Sequence, residues 1–323
     1  MIKKIYSIQY LRAFAALMVL FFHAFGYSDQ QVGNIGYIPL AKYGRYGVQI
    51  FFFLSGFVIT MLISQQQDPV LFIKKRMARI YPTYWQVYFI TISCWIVWRI
   101  LLFDTPPFRH GSWFLHLSLM PFDMTTGKMV LGVAWTLFYE VFFYSVIAAS
   151  LALFKNYRHG IYLFTFLTIF GKDFFQLMHF DRDYFFDFLV GYFFYEFLKD
   201  KNLIKFLPVL IYALIRDPIV VAFVASSMLF ILILEYKSFE NKILLKIGDA
   251  SYSLYLIHFP LMGVNKMFLR KIESVMQGSN QFTIDIVLVI FSAFFIAGTI
   301  YLSIMNYEKF EKRTALKLKK YLI

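Results

Sequence analysis

The chain has 323 residues, of which 60% are hydrophobic and only 16% are charged, and it carries a formal net charge of +13. Soluble domains have about 25% charged residues, so the composition points to a membrane protein; the basic excess is read as membrane topology and not as nucleic-acid binding, because Lys and Arg collect in cytoplasmic loops. The single cysteine, Cys94, excludes an intrachain disulfide and a cysteine-based metal centre.

Apolar stretches recur from end to end, each near the roughly 20 residues needed to cross a hydrocarbon core. The expected fold is all-α: a polytopic helical bundle of about ten transmembrane helices. The spans are placed at 8–27, 46–64, 82–103, 130–154, 159–178, 184–198, 203–216, 218–236, 250–270 and 283–306. The first is read as a span and not as a signal peptide, since it has no small-x-small cleavage site and further apolar segments follow. Lys and Arg then favour one side by about two to one, which places both termini in the cytoplasm. The longest connections, 28–45 and 104–129, fall on the outer side, and "GSWFLHLSLMPF" at 111–122 suggests a short interfacial helix. Residues 1–306 form one membrane domain, and 307–323 a basic tail suited to anionic lipid.

The first span, "LRAFAALMVLFFH", holds Arg12 and His23. Eleven positions bring a helix back to within about 20° of the same face, and the rise between them is about 16 Å. The two side chains therefore share one stripe, with Arg12 towards the cytoplasm. Taken singly, Arg12 suits a snorkelling anchor and His23 an interhelical hydrogen bond. The second span carries Ser55 and Gly56, small residues that allow close helix approach. Next, in "FIKKRMARIYPTYW", Arg76 and Arg79 stand three apart on one helix face. Paired guanidiniums suit bidentate phosphate binding, and equally a basic loop against anionic lipid.

The fourth span places Glu140 near the bilayer midplane within "AWTLFYEVFFY". A carboxylate there is costly and calls for a partner, with histidine or arginine on another helix as the natural one. In "DASYSLYLIHFPLM", His258 precedes Pro260, so it suits either chemistry or a hydrogen bond to the loosened backbone beside the proline. Asp187 and Glu196 are read as interfacial. No HExxH, Walker loop, GxGxxG or GxSxG occurs, and no metal is expected. Together, Arg12, Arg76 and Arg79 make a basic entrance to a titratable centre of His23, Ser55, Glu140 and His258.

Five segments in order resemble the membrane acyltransferase-3 family: "LRAFAALMVLFFH", "FFFLSGFVI", "KKRMARIYPTYW", "WTLFYEVFFY" and "SYSLYLIHFP", with "FFDFLVGYFFYE" as a weaker sixth. The resemblance runs from about residue 5 to 306 and is to the stand-alone type. It implies ten core membrane helices and transfer of an acyl group, most often acetyl from acetyl-CoA, to a hydroxyl of an envelope carbohydrate such as a surface polysaccharide or O-antigen. It carries the Arg-x10-His pair onto Arg12 and His23, and the Arg-x-x-Arg pair onto Arg76 and Arg79. The expected site then has His23 as general base, Glu140 or His258 orienting it or stabilising charge, and Arg12, Arg76 and Arg79 binding the phosphates of the acyl-CoA co-substrate. Direct transfer and a covalent acyl-histidine both remain open. The alternative is an exporter or flippase of a polysaccharide or lipid-linked sugar, which also places polar residues at the midplane. Expected partners are an acyl-CoA donor, a carbohydrate acceptor and the lipid bilayer, with no nucleic acid.

Overall fold

A computed structural model describes residues 6–25, 39–64, 68–102, 116–119, 130–177, 180–236 and 240–322. Among these the regular structure is helical throughout: α1 Tyr6–Phe25, a 3-10 helix Pro39–Tyr46, α2 Gly47–Ile63, α3 Pro69–Leu102, α4 Trp135–Phe154, α5 Tyr157–Phe170, α6 Lys172–Leu177 and α7 Asp183–Asp200. Then come α8 Leu207–Ile215, α9 Pro218–Tyr236, α10 Lys242–Asp249, α11 Ser251–Val275, α12 Gln281–Asn306, a π-turn Tyr307–Glu311 and α13 Lys312–Leu322.

The all-α class holds, but the expected span count does not. Among the described residues four helical stretches are long and apolar enough to cross a bilayer: Tyr6–Phe25, Leu40–Ile63, Trp135–Phe154 and Gln281–Leu322. Four of the other six expected spans fail for separate reasons. The run at 159–178 is interrupted at Gly171, leaving α5 with 14 residues, or about 21 Å of helix against a core of roughly 30 Å. α8 has nine residues. α7 carries Asp183, Asp187, Glu196, Lys199 and Asp200, and α11 carries Lys266, Arg270, Lys271 and Glu273. The placement of both termini in the cytoplasm rested on ten spans and falls with them.

The chain divides into two compact units, 1–48 with 231–313, and 49–230 with 314–323. In the first, α1 buries a face rich in small residues, with Ala13, Ala15 and Ala16 fully enclosed. α10 packs so closely on α1 that a Cβ at Gly248 would meet the Gln9 carbonyl. Asn241 caps α10 by accepting from the amides of Ile243 and Leu244, and its own amide donates to the Tyr10 hydroxyl at 2.8 Å. α11 and α12 form a hairpin whose core is Leu269, Ile284 and Leu288.

In the second unit α2 and α7 cross at two glycines. A Cβ at Gly56 would collide with the Phe188 carbonyl, and one at Gly191 with that of Phe53. Only residues without side chains let two backbones come this close. Aromatic rings fill the space around the crossing: Phe52 stacks on Phe188 with centroids 4.6 Å apart, and Phe143 lies 4.8 Å from the same ring.

Asp187 and Glu196 are both fully buried within the protein. Nine residues apart on α7, they face opposite sides of the helix. Asp187 accepts from the Tyr212 hydroxyl at 2.8 Å and pairs with Arg216 at 3.3 Å. Glu196 pairs with Arg158 at 3.0 Å and Lys205 at 3.1 Å. Lys205 also hydrogen-bonds the exposed Asp200, which holds that carboxyl below its ordinary range.

The expected interfacial helix at 111–122 is described only over 116–119. Three side chains of α3 fasten these residues by donating to successive carbonyls: Tyr84 to His116 at 2.7 Å, Trp85 to Leu117 at 2.9 Å and Tyr81 to Ser118 at 2.6 Å. His110 and His179 lie outside the described residues.

Candidate functional site: a buried histidine pair and a carboxylate cluster

His23 lies near the end of α1, half-buried, and His258 lies within α11, 1% exposed. The structure brings the two together, with Nε2 of His258 3.3 Å from Nδ1 of His23. Each ring also reaches back one turn along its own helix. His258 Nδ1 is 3.1 Å from the Leu254 carbonyl, and His23 Nδ1 is 3.0 Å from that of Val19. Pro260 orphans the carbonyl of Leu256, four residues before it, so the His258 bond does not go to the group the proline frees.

The backbone carbonyls fix the tautomers. A carbonyl oxygen only accepts, so Nδ1 of both rings carries hydrogen. A neutral His258 then has its lone pair on Nε2, which shares the single Nδ1–H of His23 with the Val19 carbonyl in a three-centre bond. The same logic leaves the lone pair of His23 on Nε2, the correct form for a general base. The chain of donors runs from His23 through His258 to the Leu254 carbonyl, in the way an orienting partner sets a catalytic imidazole. Phe259 meets the His23 ring edge-on at 5.8 Å.

Arg12 lies on α1, half-buried, eleven residues before His23 on the continuous helix that the stripe requires. Gln9 lies against Gly248 and His23 against His258, so residue numbers along α1 and along α10–α11 rise in the same direction.

The second unit holds the remaining expected residues. Oε1 of Glu140 accepts from Ser55 Oγ at 3.2 Å and from the Tyr144 hydroxyl. Among the described residues of this unit hydroxyls, and not the expected histidine or arginine, make the hydrogen bonds to Glu140. Arg76, on α3, is within electrostatic reach of Tyr144 and Glu140. Burial lowers its guanidinium from the ordinary value, and those two groups work against the shift. Arg76 Nε is buried and has no hydrogen-bond partner among the described residues. Arg79 lies one turn further on, exposed. A buried, incompletely paired guanidinium beside an exposed one fits an anion such as a phosphate.

Sequence reasoning missed Tyr144 and two further groups on α11. Tyr144 is four residues from Glu140, a same-face spacing that marks it as a neighbour. On α11, Ser251 and Asn265 stand seven residues either side of His258, and all three are buried. The seven-residue interval was the available signal. Among the described residues no cluster of three or more His, Cys, Asp or Glu could hold a metal ion.

Four bilayer-length apolar helical stretches among the described residues, with a histidine pair in one unit and a hydroxyl-bound carboxylate in the other, define a helical membrane protein with buried titratable groups. The chain belongs to the membrane acyltransferase-3 family, since the family described as Acyltransferase domain matches residues 5–215. It is therefore a membrane protein of acyltransferase type. The match takes in Arg12, His23, Ser55, Arg76, Arg79 and Glu140 and ends before His258, which is tied to the site by its contact with His23. The chain is also similar to the exopolysaccharide production protein ExoZ of Rhizobium meliloti (strain 1021), 28% identical over 246 residues, or 67% of this chain and 75% of that one. No solved structure matches it.

Proposed function

We propose that this protein transfers an acyl group, acetyl from acetyl-CoA, to a hydroxyl of a bacterial envelope carbohydrate, with His23 as the general base. The observation that carries this reading is the His258 Nε2 to His23 Nδ1 contact at 3.3 Å, because it leaves a lone pair on His23 Nε2. Family membership supports the reaction class. The name of the similar protein, which concerns exopolysaccharide production, supports the acceptor class.

In this reading His23 Nε2 takes the proton of the acceptor hydroxyl as its oxygen attacks the thioester carbonyl carbon. The carbon–sulfur bond breaks, and the proton on Nε2 passes to the departing sulfur. The imidazolium present between these steps keeps Nδ1–H on the neutral His258, which stabilises it. Glu140, held by two hydroxyls, is assigned to stabilising charge in its own unit. Arg12, on the helix that carries His23, is assigned to the anionic end of the donor; Arg76 and Arg79 keep, in their own unit, the phosphate-binding chemistry of a guanidinium pair.

The test is incorporation of labelled acetyl from acetyl-CoA into envelope carbohydrate by membranes with and without the protein. Protein-dependent label in the carbohydrate is expected. Movement of carbohydrate across the membrane with no acyl group added would replace this reading with the exporter.

A further inference from the structure

α11 carries a buried polar ladder. Ser251, His258 and Asn265 follow at seven-residue intervals and are 0%, 1% and 0% exposed. Each step returns to within about 20° of the same face and climbs about 10 Å. The middle rung is partnered by His23. The outer rungs are not: Ser251 Oγ, and both the amide nitrogen and the amide oxygen of Asn265, have no hydrogen-bond partner among the described residues, and only Asn265 lies beyond the histidine pair from Arg12. A buried primary amide with both ends unmet is rare, because each lost bond carries the full desolvation cost of the group. Its retention marks a group that a ligand satisfies.

Direction decides which ligand. Numbers along α1 and α11 rise together, so Arg12 lies on one side of the histidine pair and Asn265 on the other. α1 ends two residues past His23, whereas Asn265 lies about 10 Å past His258 along the helix. The phosphate end of the donor is assigned to Arg12, so the donor chain arrives from that side and the acceptor from the side of Asn265. An amide offers one acceptor and two donors, matching a sugar hydroxyl, which both donates and accepts. The separation exceeds the reach of one sugar ring.

We propose that Asn265 is an acceptor-binding residue that holds a hydroxyl on the sugar unit next to the one being acylated. This rests on the acyltransfer reading given above. The test uses the full chain in lipid nanodiscs, with acetyl-CoA as donor. The acceptor probes are fragments of one, two and four sugar units hydrolysed from the host's exopolysaccharide. Asn265→Leu keeps the number and branching of heavy atoms and removes both polar atoms. The KM for two- and four-unit fragments rises about tenfold, the loss of a pair of hydrogen bonds. The KM for the one-unit fragment and for acetyl-CoA stays unchanged.

An unchanged KM for the longer fragments overturns the proposal. So does a rise confined to the KM for acetyl-CoA, which would assign the amide to the donor's pantetheine. If Asn265→Leu does not assemble, Asn265→Ser gives the same reading with a smaller expected rise, and wild-type values in that variant overturn it. Calorimetric binding of the four-unit fragment without donor keeps the two readings apart. Absence of acyl transfer by the unmodified protein refutes the function. Equal binding by the unmodified protein and the Asn265 variant refutes the role of Asn265.

Discussion

His258 accepts a hydrogen bond from His23 through Nε2 at 3.3 Å and passes its own Nδ1–H to the Leu254 carbonyl at 3.1 Å. In the proposed reaction the second histidine positions the first and needs no contact with substrate. His258→Ala is expected to lower kcat about 10- to 100-fold with KM little changed, as the loss of a histidine's orienting partner does elsewhere. His258→Gln restores part of the rate, because its amide oxygen can accept from His23 Nδ1–H. Steady-state kinetics on the two variants checks this. Acid weakens the same contact, since a proton on His258 Nε2 faces the N–H of His23, so activity falls on acidification.

The glycine crossing of α2 and α7 is a stability feature. Gly56→Ala and Gly191→Ala each push a methyl group into the other helix's backbone carbonyl. Each is expected to cost about 1–3 kcal/mol, the range for overpacking. Thermal unfolding in detergent reads the loss.

Two carboxylates that look alike in sequence should behave differently. Asp187→Ala strands Arg216 in a buried position and is expected to cost about 3–5 kcal/mol of stability. Glu140→Gln keeps a group able to accept from Ser55 and Tyr144, so the unfolding temperature stays near that of the unmodified protein. Its acyl transfer falls at least tenfold, consistent with loss of a charge acting in the reaction. Parallel unfolding and activity measurements separate the two roles.

Residues 116–119 are held through backbone carbonyls. Tyr84→Phe removes the donor to the buried His116 carbonyl and is expected to cost about 1–3 kcal/mol. Faster hydrogen exchange over 116–119, with the rest of α3 unchanged, is the expected readout.

The sequence made part of this site readable. Arg12 and His23 share a face because eleven residues close three helical turns, and spacing alone gives that. Glu140 was marked as needing a partner by its apolar surroundings, but Tyr144 and Ser55 went unassigned because hydroxyls are common on helices and carry no charge signal. The pairing of His23 with His258 joins residues 235 positions apart, which no local periodicity can express. The burial of Asp187 and Glu196 was not legible either, because their partners Arg216, Arg158 and Lys205 come from other elements. The ten-span expectation failed for a related reason. Apolar runs were counted by length along the sequence, and neither the break at Gly171 nor the charges on α7 and α11 weighed against them.

The central claim is that His23 is the base. The most direct measurement is acetyl transfer from labelled acetyl-CoA to envelope carbohydrate by purified His23→Ala protein, matched in amount and fold to the unmodified chain. The account predicts a fall of about 10²- to 10⁴-fold, the usual contribution of a positioned base. Transfer at the unmodified rate would contradict it.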